Sequence, residues 1–417
     1  TKVPLLILGS LPDSLETLAL KGTIIDQLQP SLLPSSLTNL KLDHLLNPPK
    51  PGDLPSSITS LKFGKHFNLE LGVDVLPRSL QTLTFGKKFN QPLSPGVLPR
   101  SLQSLYFVKD GEFNQPLELD VLPPQLSKLS LLSRRNQDFR VHSSFWPPSL
   151  QTLVVGNLWN YSPHHGHLPL PPSVTSLSIQ LELPITSGAF PSTLVHLTIG
   201  NAFNQLLQVG ALPSSLVKLS FGDAFNQPLP TGVLPSSLVH LSFGDSFNQP
   251  LPTGVLPPSL SYLSLGREFN QGLKQTSLPR SLQILSVNTL RQTKYVTLPK
   301  SFKSDLELLE VRSTFVWTNM VPKNKMRSIK LLRIKQFEKR SSCSDSQSSI
   351  IGPMLVSLPN VHTFDIEFYE QPRKGEFEGD ILKVQYRIQV RRINERLAIG
   401  LFSYTPNSWP IRCLPIH

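Results

Sequence analysis

The chain has 417 residues, of which 40 are proline and 22 are phenylalanine, and only 16% are charged. Proline near one tenth is typical of disordered segments, but a hydrophobic content of 39% gives more apolar surface than a disordered chain carries. The two cysteines cannot form a disulfide framework. The composition therefore excludes a disordered linker and a disulfide-stapled secreted domain, and it predicts a fold that needs proline at fixed places.

We expect no targeting or membrane-spanning segment in the residues given. No apolar run approaches the roughly 18 residues of a membrane span, and residues 1–10 lack the layout of a signal peptide. We therefore expect a soluble, cytoplasmic protein with no transmembrane segment. Residues 1–10 resemble the interior of a repeat, so we interpret them as the tail of a truncated upstream repeat.

From residue 11 to about residue 300 the chain repeats a unit of about 22 residues. Residues 212–233 and 234–255 differ at two of 22 positions. The same frame recurs at intervals of 20 to 24 residues and begins at fourteen residues: Leu11, Leu33, Leu54, Leu76, Leu98, Leu122, Trp146, Leu170, Phe190, Leu212, Leu234, Leu256, Leu278 and Leu298. Self-similarity at this period predicts a solenoid, in which each coil packs only on its neighbours.

Each unit contains one short strand. Leu241 and Phe243 alternate with His240 and Ser242, as in a half-buried strand. A unit of this length has no room for a long helix, and proline fits only outside the hydrogen-bonded ladder. We predict a mainly β solenoid of about 14 short coils, with a parallel sheet on its concave face and a carboxyl-terminal cap.

Polar residues recur beside the strands. A serine recurs on the entry turn, and we expect it to satisfy backbone groups there. Glycines 210, 232 and 254 are expected in tight turns, and glycines 86, 222, 244 and 266 are expected to adopt positive φ. An asparagine column is expected to point inward and satisfy buried polar groups of adjacent coils; its clearest members are Asn90, Asn114, Asn204, Asn226, Asn248 and Asn270.

These residues resemble a known family, the FNIP repeat, a leucine-rich-repeat-like unit. The resemblance rests on Phe-Asn-Gln-Pro at residues 89–92, 113–116, 225–228 and 247–250, with glutamine where the family name has isoleucine. It covers roughly residues 11–300 and implies a leucine-rich-repeat-like solenoid that serves in protein interaction. Arrays of this family are sometimes preceded by an F-box, which implies the substrate-reading part of a ubiquitin-ligase adaptor.

The outward residues of the strands form the predicted binding surface. Because binding hot spots favour large aromatic side chains, Tyr106 and Tyr262 are the expected anchors, with His196, His240 and Lys218 around them. Nucleotide-binding, metalloprotease, serine-hydrolase and kinase signatures do not occur in the sequence. We therefore expect no enzyme activity, cofactor or metal, and an unknown protein as the partner.

Residues 301–417 are interpreted as degenerate repeats and a basic cap. Alternation at residues 364–368 and 384–390 predicts two strands joined through residues 372–380. The last third holds +9 of the net charge of +12, since residues 1–290 contain 19 basic and 16 acidic side chains. Acidic residues dilute this charge, so nucleic-acid binding is not expected.

Two interpretations of the basic segment at residues 323–340 remain open. It fits an eroded repeat strand with solvated lysines, and it also fits a basic amphipathic helix that binds calmodulin or an acidic membrane. The basic residues considered for that second role are Lys323, Lys325, Arg327, Lys330, Arg333 and Lys335. A protein-interaction scaffold is the leading hypothesis for the chain, and a calcium-signalling target is the alternative.

Overall fold

The computed structural model describes the chain in eleven segments: residues 11–30, 32–133, 146–157, 170–273, 277–289, 306–313, 329–338, 361–370, 384–392, 397–403 and 411–415. The described part consists of strands and turns. Its strands are β1 (Thr17–Ile25), β2 (Asn39–Leu45), β3 (Ser60–Phe63), β4 (Thr82–Phe85), β5 (Ser104–Gly111), β6 (Lys128–Ser133), β7 (Thr152–Asn157), β8 (Ser176–Gln180), β9 (His196–Ile199), β10 (Lys218–Phe221), β11 (His240–Ser242), β12 (Tyr262–Leu265), β13 (Ile284–Thr289), β14 (Leu306–Ser313), β15 (Ile329–Glu338), β16 (Val361–Glu370), β17 (Val384–Arg392), β18 (Leu397–Ser403) and β19 (Ile411–Pro415).

The chain divides into two compact units. Unit 1 comprises Thr1–Leu181 and Gly188–Thr198, and unit 2 comprises Glu182–Ser187 and Ile199–His417. In unit 1, strands β1 to β8 pair in chain order and in parallel. In unit 2, strands β10 to β16 do the same. The predicted mainly β, leucine-rich-repeat-like solenoid with a parallel sheet is confirmed.

One strand follows each predicted repeat start. The fourteen starts precede β1 to β14 in the sequence, and β15 and β16 extend the parallel pairing beyond them. The coil count therefore differs slightly from the predicted fourteen. Register is strict where the repeat is regular: Lys218 pairs with His240, and His240 pairs with Tyr262.

The core consists of apolar residues that occupy the same position in successive coils. Each regular coil places two phenylalanines in contact, as Phe243 and Phe247 are with ring centroids 3.8 Å apart. Each ring also stacks on its equivalent in the next coil: Phe225 and Phe247 lie 6.0 Å apart, and Phe247 and Phe269 lie 6.1 Å apart. These rings are buried. Burial of an aromatic side chain is among the largest apolar contributions to stability, so the phenylalanine column holds neighbouring coils together.

In the regular described repeats, the proline of the Leu-Pro pair that starts the repeat begins the turn that leads into the strand. Its carbonyl accepts a hydrogen bond from the leucine amide three residues later, as from Leu238 to Pro235 at 3.1 Å and from Leu260 to Pro257 at 3.1 Å. Proline has no N–H to donate, and its carbonyl is the group that this turn uses. The repeat thus keeps proline out of the strand ladder.

The recurring glycines fall into two groups, and glycine is required for a different reason in each group. Gly210, Gly232 and Gly254 have φ of 84°, 83° and 84°, which is the left-handed backbone expected of them. The expectation of positive φ after the strand is wrong for glycines 86, 222, 244 and 266. A Cβ atom at Gly244 would overlap the backbone carbonyl of Gly222 in the preceding coil, so this column is glycine because coils approach closely there.

The carboxyl-terminal strands end the parallel ladder. Strand β17 pairs antiparallel with β16, which is the predicted strand pair, although the connecting residues 372–380 lie outside the described residues. Strands β18 and β19 continue the antiparallel pairing and were not predicted. The proposed boundaries at residues 10 and 300 stay predictions.

The glycine column yields a stability prediction. Gly244→Ala should destabilise unit 2 by about 1–3 kcal/mol, because the new methyl group must displace backbone rather than a flexible side chain. Ser242→Ala, in the same coil and half-buried on the strand, is the matched control and should change stability little. Urea unfolding measures both, and equal midpoints for Gly244→Ala and the parent would contradict the close-approach explanation.

Candidate functional site

The strand residues that point away from the core form one surface in each unit. In regular coils the burial pattern alternates, as in β4, where Leu83 and Phe85 are buried while Thr82 and Thr84 are half-buried. We call the outward pair of central positions in each strand the polar strand face. The core and the polar strand face thus lie on opposite sides of the same sheet.

In unit 1 the polar strand face of β2 to β6 carries Asn39, lysines, hydroxyl groups and one tyrosine. Its second outward position aligns Lys41, Lys62, Thr84 and Tyr106 across four neighbouring strands. Lys62 is exposed and the other three are half-buried. Lys128 occupies the first outward position of β6 and is exposed. The predicted anchor Tyr106 therefore shares one row with two lysines.

In unit 2 the first outward position aligns Lys218, His240 and Tyr262. The rings of His240 and Tyr262 stack with centroids 5.5 Å apart. The second position is a row of serines, Ser220, Ser242 and Ser264. Three of the five predicted contact residues thus lie side by side on adjacent strands. His196 is exposed at the start of β9, in unit 1.

The basic segment is a strand over the residues that the structure describes. Residues 329–338 form β15, which pairs in parallel with β14 and β16. The eroded-strand interpretation is therefore correct for this stretch, and the amphipathic-helix alternative is wrong there. Lys335 lies within β15. Lys323, Lys325 and Arg327 lie outside the described residues.

Two of the basic side chains in β15 are paired with acids. Arg333 Nε lies 3.0 Å from Asp365 Oδ2, and Arg333 Nη1 lies 3.9 Å from Glu310 Oε2. Asp365 is buried, and a buried carboxylate requires such a partner. Lys330 Nζ lies 3.4 Å from Glu307 Oε1. These contacts reduce the charge that the strand presents to an acidic ligand.

The asparagine column links coils through the backbone. The Oδ1 atom of each regular asparagine accepts a hydrogen bond from the backbone N–H of the asparagine one coil later. The bond from Asn248 N to Asn226 Oδ1 is 2.9 Å long, and equivalent bonds join Asn90 to Asn68, Asn114 to Asn90, Asn226 to Asn204 and Asn270 to Asn248. These side chains are half-buried or exposed, so the expected inward, buried placement was wrong.

A glutamine column was missed by the sequence analysis. In the Phe-Asn-Gln sequence, glutamine Nε2 donates to both the carbonyl oxygen and Oδ1 of the asparagine one coil earlier. Gln249 Nε2 lies 3.1 Å from Asn226 O and 3.1 Å from Asn226 Oδ1. Gln91, Gln115, Gln227 and Gln271 repeat the pattern. The signal was available, since glutamine follows asparagine at every one of these positions.

The serine column on the entry turn forms a second ladder. Each Oγ donates to a backbone carbonyl of the preceding coil, as from Ser237 to Leu216 O at 2.7 Å and from Ser281 to Leu260 O at 2.7 Å. Thr193 occupies the same position and donates to Val174 O at 3.0 Å. Side chains beside the strand thus hold the coils together, and the residues of this ladder are not part of the polar strand face.

Asp43 connects coils at the end of β2. Its carboxylate accepts hydrogen bonds from the backbone N–H of Gly22 at 2.9 Å and of Lys65 at 3.2 Å. The hydrogen bond from Gly22 is the main cause that lowers the pKa of Asp43; the Lys65 bond and the nearby charges of Lys41 and His66 act in the same direction against partial burial. The charged form of Asp43 is therefore favoured in the folded protein.

Two open grooves lie on the proline-rich turns, away from the polar strand face. One in unit 1, of about 620 Å³, is lined by Pro123, Pro124 and Trp146 among others. One in unit 2, of about 490 Å³, is lined by Pro257, Pro258 and Arg280 among others. Within the described residues, no group of three or more His, Cys, Asp or Glu side chains could hold a metal ion. No helix in that part of the chain has the length and apolar character that crossing a membrane requires.

The comparisons with known proteins place this fold in a class. The crystal structure of CroV588, described as a novel circular LRR protein structure, matches with a TM-score of 0.63 and 30% sequence identity over 89% of the present chain. The chain spans 56% of the length of that structure. No curated protein matches. The fold is thus that of a leucine-rich-repeat-like solenoid.

A match to a family model identifies the kind of repeat more closely. The model of the FNIP Repeat matches residues 47–88, 89–134, 203–246 and 247–289. These four segments are similar to the FNIP repeat. The resemblance drawn from the Phe-Asn-Gln-Pro sequences is thereby confirmed.

The asparagine ladder yields a second prediction. Asn226→Leu should destabilise unit 2 by about 1 kcal/mol or more, because Asn248 N loses its acceptor and Gln249 Nε2 keeps only the backbone carbonyl of residue 226. Asn226→Asp keeps an acceptor oxygen at this position and should lose less. Thermal unfolding of the two variants measures the difference. If the leucine variant melts like the parent, the ladder contributes nothing to stability.

Asp43 yields a prediction about pH. Since its folded pKa lies below its unfolded value of roughly 3.9, its contribution to stability is complete above the unfolded pKa and is lost as pH falls through the folded pKa. The stability difference between the parent and Asp43→Asn should therefore be largest near neutral pH and should shrink in acid. Urea unfolding of both proteins between about pH 7 and pH 2 measures it. A difference that does not change with pH would contradict the assignment.

Proposed function

We propose that this chain is a non-catalytic protein-interaction scaffold whose partner binds the polar strand face. Support comes from the repeat architecture, since solenoids offer an extended surface built from equivalent positions of successive coils. It also comes from the way that the rest of each coil is occupied: phenylalanine fills the core, while serine, asparagine and glutamine hold adjacent coils together.

The observation that carries the proposal is the difference between two nearly identical coils. Residues 212–233 and 234–255 differ at two of 22 positions, and one of these is Lys218 against His240, which are register partners on the polar strand face. Tyr262 occupies the same position in the next coil. The other difference is Ala224 against Ser246. Side chains thus vary on the polar strand face while the packing positions are repeated, and such variation allows a surface to be specific for one partner.

Tyr262 and Tyr106 are the anchors of this proposal. Both are half-buried, so each offers an aromatic surface whose position is restrained by its neighbours. Tyrosine provides a large contact area with few rotatable bonds, and this is why it is common among binding hot spots. In unit 2, polar side chains lie in the same row as Tyr262, namely those of Lys218 and His240. In unit 1, His196 adds a further polar side chain to the face.

A narrower form of the proposal is that the scaffold selects substrates for an F-box-type ubiquitin-ligase adaptor in the cytoplasm. It requires an F-box in the same polypeptide, and it rests on the FNIP repeats. Purification of the full natural protein with ubiquitin-ligase components would support it. Absence of those components from the purified protein, with the solenoid intact, would contradict it and leave the scaffold proposal in place.

Site-specific photo-crosslinking tests the proposed face. A benzoylphenylalanine at Ser242 should cross-link a discrete partner in an extract of the cells that express the protein. An aromatic side chain should fit there, because Tyr106 occupies the corresponding position of β5.

The matched control is benzoylphenylalanine at Ser236, in the same coil but exposed on the proline-rich turn. It should give little or none of the same product. Equal cross-linking from both positions, or cross-linking from Ser236 alone, would show that the polar strand face is not the interface.

A further inference from the structure

Four side chains of unit 1 form a continuous row on the polar strand face. Lys41 pairs with Lys62, Lys62 with Thr84, and Thr84 with Tyr106, on strands β2 to β5. We call these four residues the lysine–tyrosine row. They occupy the second outward position of their strands, so their side chains project from the same side of the sheet.

The central positions around this row carry no acidic side chain, and the acid on the same face of β2 is Asp43, on which the charge of Lys41 acts. The two outward central positions of the described strands β2 to β6 hold Lys41, Lys62 and Lys128 and no Asp or Glu. The carboxylate of Asp43, two residues beyond Lys41, accepts the backbone hydrogen bonds of Gly22 and Lys65.

The described ion pairs of unit 1 lie elsewhere in the repeat. One joins Arg78 to Asp74, and another joins Lys88 to Glu112. The row therefore presents positive charge outward.

Two lysine charges on directly paired positions are unfavourable for the fold. Like charges on directly paired strand positions repel, and they lower the stability of the sheet. Thr82 and Ser104, paired at the first outward position of the next two strands, show that neutral side chains suit this face. The presence of a lysine pair that lowers stability is explained if the pair binds a negatively charged ligand.

The spacing of the row defines what would fit it. Neighbouring strands lie ~4.8 Å apart, so one carboxylate can contact the ammonium groups of both Lys41 and Lys62. Tyr106 lies two strands beyond Lys62, a distance of ~10 Å. An acidic side chain between Lys41 and Lys62 lies ~12 Å from Tyr106. An extended segment advances ~3.3 Å per residue and points alternate side chains to the same side, so it would bring a second side chain to Tyr106 about four residues after its acidic one. Apolar or aromatic side chains pack best on a half-buried tyrosine.

We propose that the lysine–tyrosine row binds an acidic segment of a partner protein, with a carboxylate between Lys41 and Lys62 and an apolar side chain against Tyr106. This inference rests on the proposed scaffold function and adds the chemistry of the partner. The partner segment then crosses the strands of the sheet rather than adding to its edge.

Fluorescence anisotropy with labelled peptides of about ten residues tests the inference. One peptide carries glutamates with a leucine four residues after one of them, a second has lysine in place of every glutamate, and a third has phosphoserine in place of the central glutamate. The acidic peptide should bind and the lysine peptide should not. Binding should weaken when salt is raised to about 1 M, because the Debye length then falls to about 3 Å.

Variants locate the binding to the row. The double variant Lys41→Glu/Lys62→Glu should weaken binding of the acidic peptide about tenfold or more, and Tyr106→Ala should weaken it a few-fold. Arg100→Glu, at an exposed arginine on the entry turn of β5, reverses one charge outside the face and should leave binding unchanged. If the double variant does not fold by circular dichroism, Lys41→Gln/Lys62→Gln removes the charges without reversing them.

The outcomes separate this inference from the scaffold proposal. Equal loss in Arg100→Glu and in the double lysine variant, or no binding of the acidic peptide, overturns the inference. Binding of the phosphoserine peptide alone overturns the assignment to carboxylates. If the acidic peptide fails while Ser242 still cross-links a partner, only the acidic segment is wrong. If neither is observed, the scaffold proposal fails as well.

Discussion

The contact between one coil and the next is the constraint on which the rest of this structure depends. A coil of about 22 residues cannot bury its own apolar side chains, so each one needs an equivalent residue above and below it. Phe247 illustrates this requirement, since its ring lies 6.0 Å from Phe225 and 6.1 Å from Phe269. The same requirement applies to polar groups, because most of the side-chain hydrogen bonds of the repeat join residues about one coil apart. A substitution in one coil therefore affects two interfaces.

This constraint explains why the fold could be predicted from the sequence. A residue that must contact its own equivalent recurs at a fixed interval, so the repeat pattern alone assigns Leu241 and Phe243 to the core. The strand pair of β16 and β17 was predictable for a related reason, since alternation alone indicates a strand with one buried face.

The sequence showed which positions recur as glycine or asparagine columns. The physical reason for each recurrence was harder to predict. Gly244 recurs because a Cβ atom would meet the backbone of Gly222, whereas the sequence suggested an unusual φ. The asparagine column was expected to be buried because it is regular, but regularity also arises at the surface wherever Asn248 N needs an acceptor from Asn226. Periodicity identifies that a position is constrained, and only the distance to the adjacent coil identifies the force that constrains it.

The basic segment shows the limit of charge as a functional signal. Eight basic residues lie among residues 323–340, yet Arg333 lies 3.0 Å from Asp365 and Lys330 lies 3.4 Å from Glu307 on neighbouring strands. These partners are 32 and 23 residues away along the chain, so no local count of charges could include them.

The lysine–tyrosine row is the opposite case. It contains only two charges. Lys41 and Lys62 are 21 residues apart, so they do not form a charged cluster in the sequence. The parallel register places them side by side, while the carboxylate of Asp43, two residues beyond Lys41, accepts hydrogen bonds from Gly22 and Lys65. Whether a charge can act on a ligand is thus decided by its neighbours on adjacent coils. For a solenoid of this kind, function is better sought where repeated packing does not explain a side chain than where charge is most concentrated.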